Sequence, residues 1–452
     1  MTKANAPARP LLAGAATAQI GFPEGFFPHK SFRGRYFTSI HDPLHARALA
    51  LEKDGSEIVL LSMELGDVDE GMVTETAKLA GIPENSLLMM ATHTHSAPHA
   101  GGTWQEDVID AEQSRAFRAL CVAAAADAIK SARAKKQQAM LLIGTSLCNV
   151  NVNRDYLQTV YGESSYIQAP NPGGVSDKTV TVLKVAGMDG RTLAVLFNYG
   201  VHSNVAFFQT WTYEDSMQIS SDLSGFAASY VEEHCDEGAV ALFSLAPAAD
   251  QMPRYLANHR VFARDWSSTW AYDGRDAAIS LVEAQGSDLG FAVFRAMRNM
   301  MPVDLTGGVR IRQTTVTAMG KVKDGDRKAK SDAATGYMQQ YDSRFEGAYE
   351  PTEPLTMRLN IVNLGKLIIV TVPCEIVTSI GVRLKQCAPA GHGSYMMVVS
   401  QCNGSYSYVS DRFGYEERTF EALHSHFMPG VSQLITDAVA NCIESDIDKE
   451  KE

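Results

Sequence analysis

Residues 87–99, Leu-Leu-Met-Met-Ala-Thr-His-Thr-His-Ser-Ala-Pro-His, run from an apolar stretch straight into a histidine-rich segment. The apolar part has the length of a buried strand rather than a helix. Ligands of open α/β sheets gather beyond the carboxyl ends of strands, so the histidines stand where chemistry is expected. In an extended chain His93 and His95 share one face about 6.6 Å apart along the backbone. Both can then bind one ion, or one can bind while the other faces a substrate, and spacing does not choose between them.

Comparable runs recur at 57–64, 139–147, 179–186, 192–199, 239–246, 309–318, 357–363, 366–372 and 395–401, most of them rich in Val, Ile and Leu. Segments of helical period lie between several of them, at 68–80, 109–135, 222–235, 375–387 and 430–444. Strands alternating with helices make a layered α/β protein. Its sheets should be mixed, because Gly187-Met-Asp-Gly190 and Asn363-Leu-Gly365 have the composition of tight turns between hairpin strands. Residues 321–353 are polar, charged and aperiodic, and read as a long surface loop.

The polar residues that follow the other runs are selective: His202 after 192–199, Asp250 after 239–246, Glu375 after 366–372, and Tyr406 and Tyr408 after 395–401. Two histidines and a carboxylate at strand ends form the ligand set of hydrolytic zinc sites that keep one position for water. Each residue taken singly is equally at home as a satisfied polar group at a strand terminus. His99 follows a proline and reads as a loop residue, while His424 and His426 lie in a helical stretch where side chains two apart diverge.

The remaining composition excludes several classes. With 40 basic against 52 acidic residues the formal charge is −12, which argues against a nucleic-acid partner. The N-terminal residues hold no apolar core of signal-peptide length, and no run reaches a membrane span, so a cytoplasmic protein with no stable membrane anchor is expected. The 7 cysteines include no Cys-x-x-Cys pair and fit a reducing compartment. In 171–179 the residue before Lys178 is Asp177, not the glycine a phosphate loop requires. No Gly-x-Ser-x-Gly elbow is present. Cys374 is expected to be a buried structural thiol, and a homo-oligomer is compatible with the chain but not specified by it.

At these same residues the sequence resembles the neutral/alkaline ceramidase family of zinc-dependent amide hydrolases. Ile40-His-Asp-Pro-Leu-His-Ala-Arg-Ala-Leu49 is similar to the family's IHDPLYARAL, Thr92-His-Thr-His-Ser-Ala-Pro98 to its THTHSGP, and Asn151-Val-Asn-Arg154 to its NINR. Phe197-Asn-Tyr-Gly-Val-His202 resembles FAIH, Ser221-Asp222 and Pro373-Cys-Glu375 resemble the SAD and PGE stretches, and 403–409 with Phe420-Glu421 resembles the last catalytic segment. These matches fall in order along most of the chain.

The resemblance implies a ceramidase-like catalytic domain over 1–452, with Zn2+ held by His93, His202, Glu375 and Tyr408. His95 and Arg154 would face the carbonyl of a small-molecule acyl substrate. The implied reaction is hydrolysis of a linear amide by activated water, with His95 carrying the proton and Arg154 and Tyr408 stabilising the oxyanion. Asp250 is expected outside the ligand set, orienting a ligand histidine through its other nitrogen. Two positions depart from the family: Met252 stands where the ceramidases have the serine of GDVSP, and Phe420 replaces a second tyrosine. The chain is also expected to lack the family's immunoglobulin-like tail and secretion signal. A smaller soluble acyl compound is therefore expected rather than ceramide. The alternatives are an ester or lactone hydrolase, in which the same water attacks a different carbonyl, and a catalytically silent metal-containing binding protein, which Met252 and Phe420 favour.

Overall fold

The computed structural model describes residues 10–30, 36–100, 111–160, 162–206, 216–256, 258–262, 268–273, 277–321, 349, 351–389 and 395–451. Its main element is a nine-stranded sheet. The strand order is Val240–Leu245, Thr192–Tyr199, Thr179–Gly187, Gln137–Leu147, Leu11–Gln19, His45–Lys53, Ser56–Met63 and Leu87–Ala91, with Met301–Pro302 added to Gln137–Leu147. Pairing is antiparallel through the middle and parallel at both ends, where Leu87–Ala91 follows Ser56–Met63 and Val240–Leu245 follows Thr192–Tyr199. Both expected hairpin turns form. Gly190 takes the left-handed φ of 84° its turn requires, and Leu364 pairs with Leu367 across the second.

Strands of this sheet are apolar on both faces because both faces are covered. In His45–Lys53 the small residues Ala46, Ala48 and Ala50 cluster with the helices Glu70–Ala80 and Ala111–Ala134, while Leu49 and Leu51 join the opposite, inner core. Alanine on the outer face lets the long helix lie close. Gly14 marks the tightest point, since a Cβ there would come within 2.3 Å of the Ala132 carbonyl oxygen. On the other wing the helices Asp222–His234 and Ala278–Met297 cover Thr179–Gly187, Thr192–Tyr199 and Val240–Leu245. These two helices also approach through a glycine, where a Cβ on Gly290 would meet the Tyr230 ring at 2.4 Å.

The inner face is filled by a second sheet of Val309–Lys321, Pro351–Leu364, Leu367–Thr371 and Tyr395–Val399. Its Val362, Leu367, Ile369 and Met397 share one core with Leu49, Leu60 and Leu88 from one wing and Leu183, Leu196 and Leu242 from the other. The outer face of this second sheet carries the helices Thr378–Gln386 and Val431–Lys451.

The segment after Tyr395–Val399 seals both edges of the large sheet. Ser400 donates its N–H to Leu245 O at 2.8 Å, while Gln401 O accepts from Ala91 N–H at 3.0 Å. Asn403 donates its N–H to Met89 O at 2.9 Å, and its side chain accepts from Met89 N–H and donates to Leu87 O. The two edges are thus joined through one short segment, and Ser62 Oγ donates directly across to Phe243 O at 2.7 Å. Edge groups that would otherwise template other chains are used internally.

Several elements differ from the sequence expectation. Leu11–Gln19 and His45–Lys53 are strands whose alanines disguise them, and the glycines of Ala278–Met297 hide a helix. Residues 375–377 precede the helix rather than opening it, and Glu375–Ile376 is a short strand. The expected loop over 321–353 is shorter at both ends: Lys321 pairs with Pro351 in a strand ladder, and 322–348 and 350 lie outside the described residues. Among the described residues no helix is long and apolar enough to cross a membrane.

Gly14→Ala should cost about 2–3 kcal/mol, because the atoms it meets are backbone and cannot turn away. Gly290→Ala should cost less, since Tyr230 can rotate. Urea denaturation of the two variants orders them, and a Gly14→Ala midpoint equal to that of the parent contradicts this packing.

Candidate functional site

The 87–91 strand delivers its histidines through a fixed turn. Thr92 N–H donates to Met63 O at 2.9 Å and His93 N–H to Leu65 O at 3.0 Å, with His93 in the left-handed region at φ 62°. Thr94 then bridges Ser203 in parallel fashion, and His95 N–H donates to Ser203 O at 3.0 Å. Alternation decides which side chains meet. Thr94 Oγ1 donates to Ser220 O at 2.9 Å and Ser203 Oγ bonds Ser224 Oγ at 2.9 Å, so His93, His95 and His202 fall on the opposite face. Their candidate ligand nitrogens lie within 4.8 Å of one another.

Glu375 arrives from the second sheet. Glu375–Ile376 pairs in parallel with Tyr408–Val409, Glu375 opposite Tyr408, and Glu375 N–H donates to Ser407 O at 2.9 Å. Register places the carboxylate and the phenol side by side. Glu375 Oε2 lies 3.1 Å from Nε2 of both His93 and His202, and His95 Nε2 lies 3.3 Å from His93 Nε2. His93 and His202 are buried while His95 is partly open to solvent.

The protons of this cluster do not balance without a cation. His93 Nδ1 lies 2.7 Å from the Gly66 carbonyl oxygen, which only accepts, so Nδ1 carries the hydrogen and Nε2 presents a lone pair to Glu375. A proton on that Nε2 would satisfy one contact, and Glu375 does lift His93 above its ordinary value against the effect of burial. The contact between His202 and Glu375 stays unresolved. Burial and the Arg154 charge push His202 down to about 4, and Arg154 Nη1 already points at its Nε2 from 3.3 Å. His202 Nδ1 is buried with no hydrogen-bond partner among the described residues. Three imidazole nitrogens and a carboxylate held well below its usual range by the two neighbouring histidines, burial notwithstanding, fit a divalent cation. Burial, then the neighbouring histidine charges, keeps His95 well below its ordinary value and hence neutral.

Arg154 stands beside this cluster on Asn151–Val160, its N–H bonded to Asp250 O at 2.9 Å. The guanidinium carbon lies 5.2 Å from the Phe420 ring centroid and 5.6 Å from that of Tyr408. Glu421 accepts from Arg154 Nε at 2.9 Å. Burial, followed by the Glu375 charge, pushes the Tyr408 phenol far above its ordinary value, so it remains a donor.

Asp250 does not meet a ligand histidine as the sequence led us to expect. Its Oδ1 accepts from Thr378 N–H at 2.8 Å and Thr378 Oγ1 at 2.7 Å, and its Oδ2 accepts from Asn153 Nδ2 at 3.2 Å. The carboxylate ties the strand of Arg154 to the start of the helix after Glu375, while the histidine task passes to the Gly66 carbonyl.

With that geometry established, comparison with known proteins is decisive. The sequence model described as neutral/alkaline non-lysosomal ceramidase, N-terminal, matches residues 35–261, half of the chain. The chain belongs to this family. Neutral ceramidase of Drosophila melanogaster is 27% identical over 216 residues, 43% of this chain and 28% of that protein. Neutral ceramidase of Pseudomonas aeruginosa is 27% identical over 232 residues, 47% of this chain and 32% of that protein. The alignments thus span less than a third of either relative. The crystal structure of the Pseudomonas aeruginosa neutral ceramidase superimposes with a TM-score of 0.71 at 17% identity, covering 96% of this chain and 75% of that one. A ceramidase complexed with C2 gives 0.69 at 16% identity, covering 96% and 76%. The layered α/β fold is therefore that of the neutral ceramidases.

Segments that carry the ceramidase resemblance also support one another in space. Asp42 Oδ2 accepts from Ser221 N–H at 2.8 Å and Ser221 Oγ at 2.6 Å, joining the 40–49 and 221–222 motifs. Asp222, fully buried, accepts from Val205, Ala206 and Leu223 N–H groups at 3.0, 2.8 and 2.7 Å and so shapes the loop behind His202. Burial pushes the Cys374 thiol far up, consistent with an inert core residue. His424 stacks on Phe420 at 4.0 Å and sits outside the cluster. Sequence reasoning passed over Gly66 and gave Glu421 no role. A carbonyl acceptor leaves no side-chain signature, and only the neighbourhood of Phe420 pointed toward Glu421.

Burial raises the Asp222 carboxyl to about 6, against the three N–H donors. An acid raised on folding stabilises below its unfolded value near 3.9 and loses that contribution as pH rises through 6. Asp222→Asn should therefore be less stable throughout, by a margin that narrows between pH 4 and pH 7. Urea denaturation across that range tests it; a margin independent of pH contradicts the assignment.

Proposed function

We propose that the chain is a zinc-dependent hydrolase that cleaves the amide bond of a small acyl amide, acting as a single catalytic unit. The observation that carries this reading is the confrontation of His93, His202 and Glu375 lone pairs beside Arg154 and Tyr408. His93, His202 and Glu375 would hold the ion with Tyr408 adjacent, a donor set suited to zinc. Bound there, zinc supplies Lewis acidity toward a carbonyl oxygen and toward water.

The chain's own groups supply the rest. His95, neutral and partly open to solvent, takes the proton of the attacking water and returns it to the leaving amine. Arg154 and the protonated Tyr408 donate to the oxyanion as it forms. Both are already oriented, Arg154 by Glu421 and Tyr408 by its pairing with Glu375. Phe420 packs against Tyr408 at 5.3 Å, so a ring without a hydroxyl walls this side and suits an apolar acyl group. The name ceramidase carried by the relatives supports an acyl amide, and a soluble acyl compound smaller than ceramide agrees with Met252 and Phe420.

His202→Ala should lose both bound zinc and turnover of N-acyl amines; retention of both would end this reading. Arg154→Ala should keep zinc and lower kcat by about 10²–10³. Presenting one acyl group as amide and as ester separates the amidase reading from an esterase, which would turn over the ester alone.

A further inference from the structure

We infer that Glu421 is a positioning residue for the reaction, fixing the Arg154 guanidinium so that one edge is occupied and the other faces the reacting carbonyl. This rests on the reading of Arg154 as an oxyanion donor. Glu421 Oε1 lies 2.9 Å from Arg154 Nε and 2.9 Å from Nη2, taking the Nε edge with a single oxygen. Nη1 is left directed at the cluster, 3.3 Å from His202 Nε2. The Phe420 and Tyr408 rings, 5.2 and 5.6 Å from the guanidinium carbon, restrict its tilt.

Glu421 has a fully buried side chain on the short helix Phe420–Leu423, far in sequence from Arg154. A buried carboxylate and guanidinium are retained only when each offsets the other's loss of water. The pair also has a second carboxyl. The ladder from Asn151–Val160 to Glu163–Asn171 slips between Asn153 and Asp155, so adjacent residues turn toward the same side. Burial, followed by the Glu421 charge, drives the Asp155 carboxyl upward. Glu421 itself accepts from Arg154 Nε. Arg154 stays charged although burial opposes it, because the Glu421 carboxylate lies against it.

The test uses the zinc-loaded full chain. Glu421→Gln, which keeps shape and loses charge, should retain zinc and KM within about twofold and lose kcat by about tenfold to a hundredfold. Guanidinium chloride at millimolar concentration should restore turnover to Arg154→Ala by about tenfold, and should fail to restore the double variant Arg154→Ala, Glu421→Gln. Equal rescue of both, or full kcat in Glu421→Gln, overturns the inference. A readout independent of turnover keeps it distinct from the proposed activity: in protein labelled with 15N-arginine, the Nε–H resonance that Arg154→Lys removes should exchange slowly in the parent and rapidly in Glu421→Gln. Slow exchange in both refutes the positioning role even where no substrate is found. If Glu421→Gln fails to fold, Glu421→Asp, which keeps the charge but withdraws it from Arg154 Nε, gives the second measurement, with kcat and Arg154 exchange expected to move in the same direction and unchanged values counting against the inference.

Discussion

The bridge between Thr94 and Ser203 is the contact on which the site depends. It joins the chain leaving one edge strand of the large sheet to the chain following the strand next to the other edge. Without it His93 and His95 would belong to one wing and His202 to the other. The bridge forms because the sheet curls until its wings share a core, and because Ser400, Gln401 and Asn403 bond to both edges. The cluster is therefore a product of closure, and its cost is visible in the backbone. His93, Gln401, Asn403 and Ser407, which cluster about the seam, are all non-glycine residues with left-handed φ. Such conformations persist only where surrounding contacts over-determine them.

Much of this was legible in the chain. The strands ending before His93, His202 and Glu375 are branched and apolar, because both of their faces are buried, and such runs announce themselves. The strands at 11–19 and 45–53 did not. Their outward residues are alanine or glycine to admit the 111–134 helix, and small residues carry little periodic signal. The site showed the same division. Imidazoles and carboxylates at strand ends are visible in sequence, whereas the carbonyl of Gly66 and the task of Asp250 depend on which segments meet. Asp250 was found as a residue near the site and misread in its contacts, since it braces Thr378 and Asn153 and leaves the histidine to the backbone.

Electrostatically the centre is layered. An inner ring of imidazoles and Glu375 lacks the protons to satisfy itself, and an outer pair, Arg154 with Glu421, is matched in charge. Glu421 offsets part of the guanidinium charge, and what remains still acts on the ring, adding to burial in lowering His202. Between the two lie Tyr408 and Phe420, the one a donor and the other a plain ring. This arrangement sets an ion pair directly beside the ring whose protons do not suffice.

The packed interior of the curled sheet has one more consequence. Leucines, valines and methionines from both wings and the second sheet occupy the space that an open barrel would leave as a lumen. Among the described residues this core is continuous, and the histidines lie beyond the strand ends, outside it. Substitutions along the segments beyond the strand ends can therefore reshape the surroundings of the histidines without disturbing the central core.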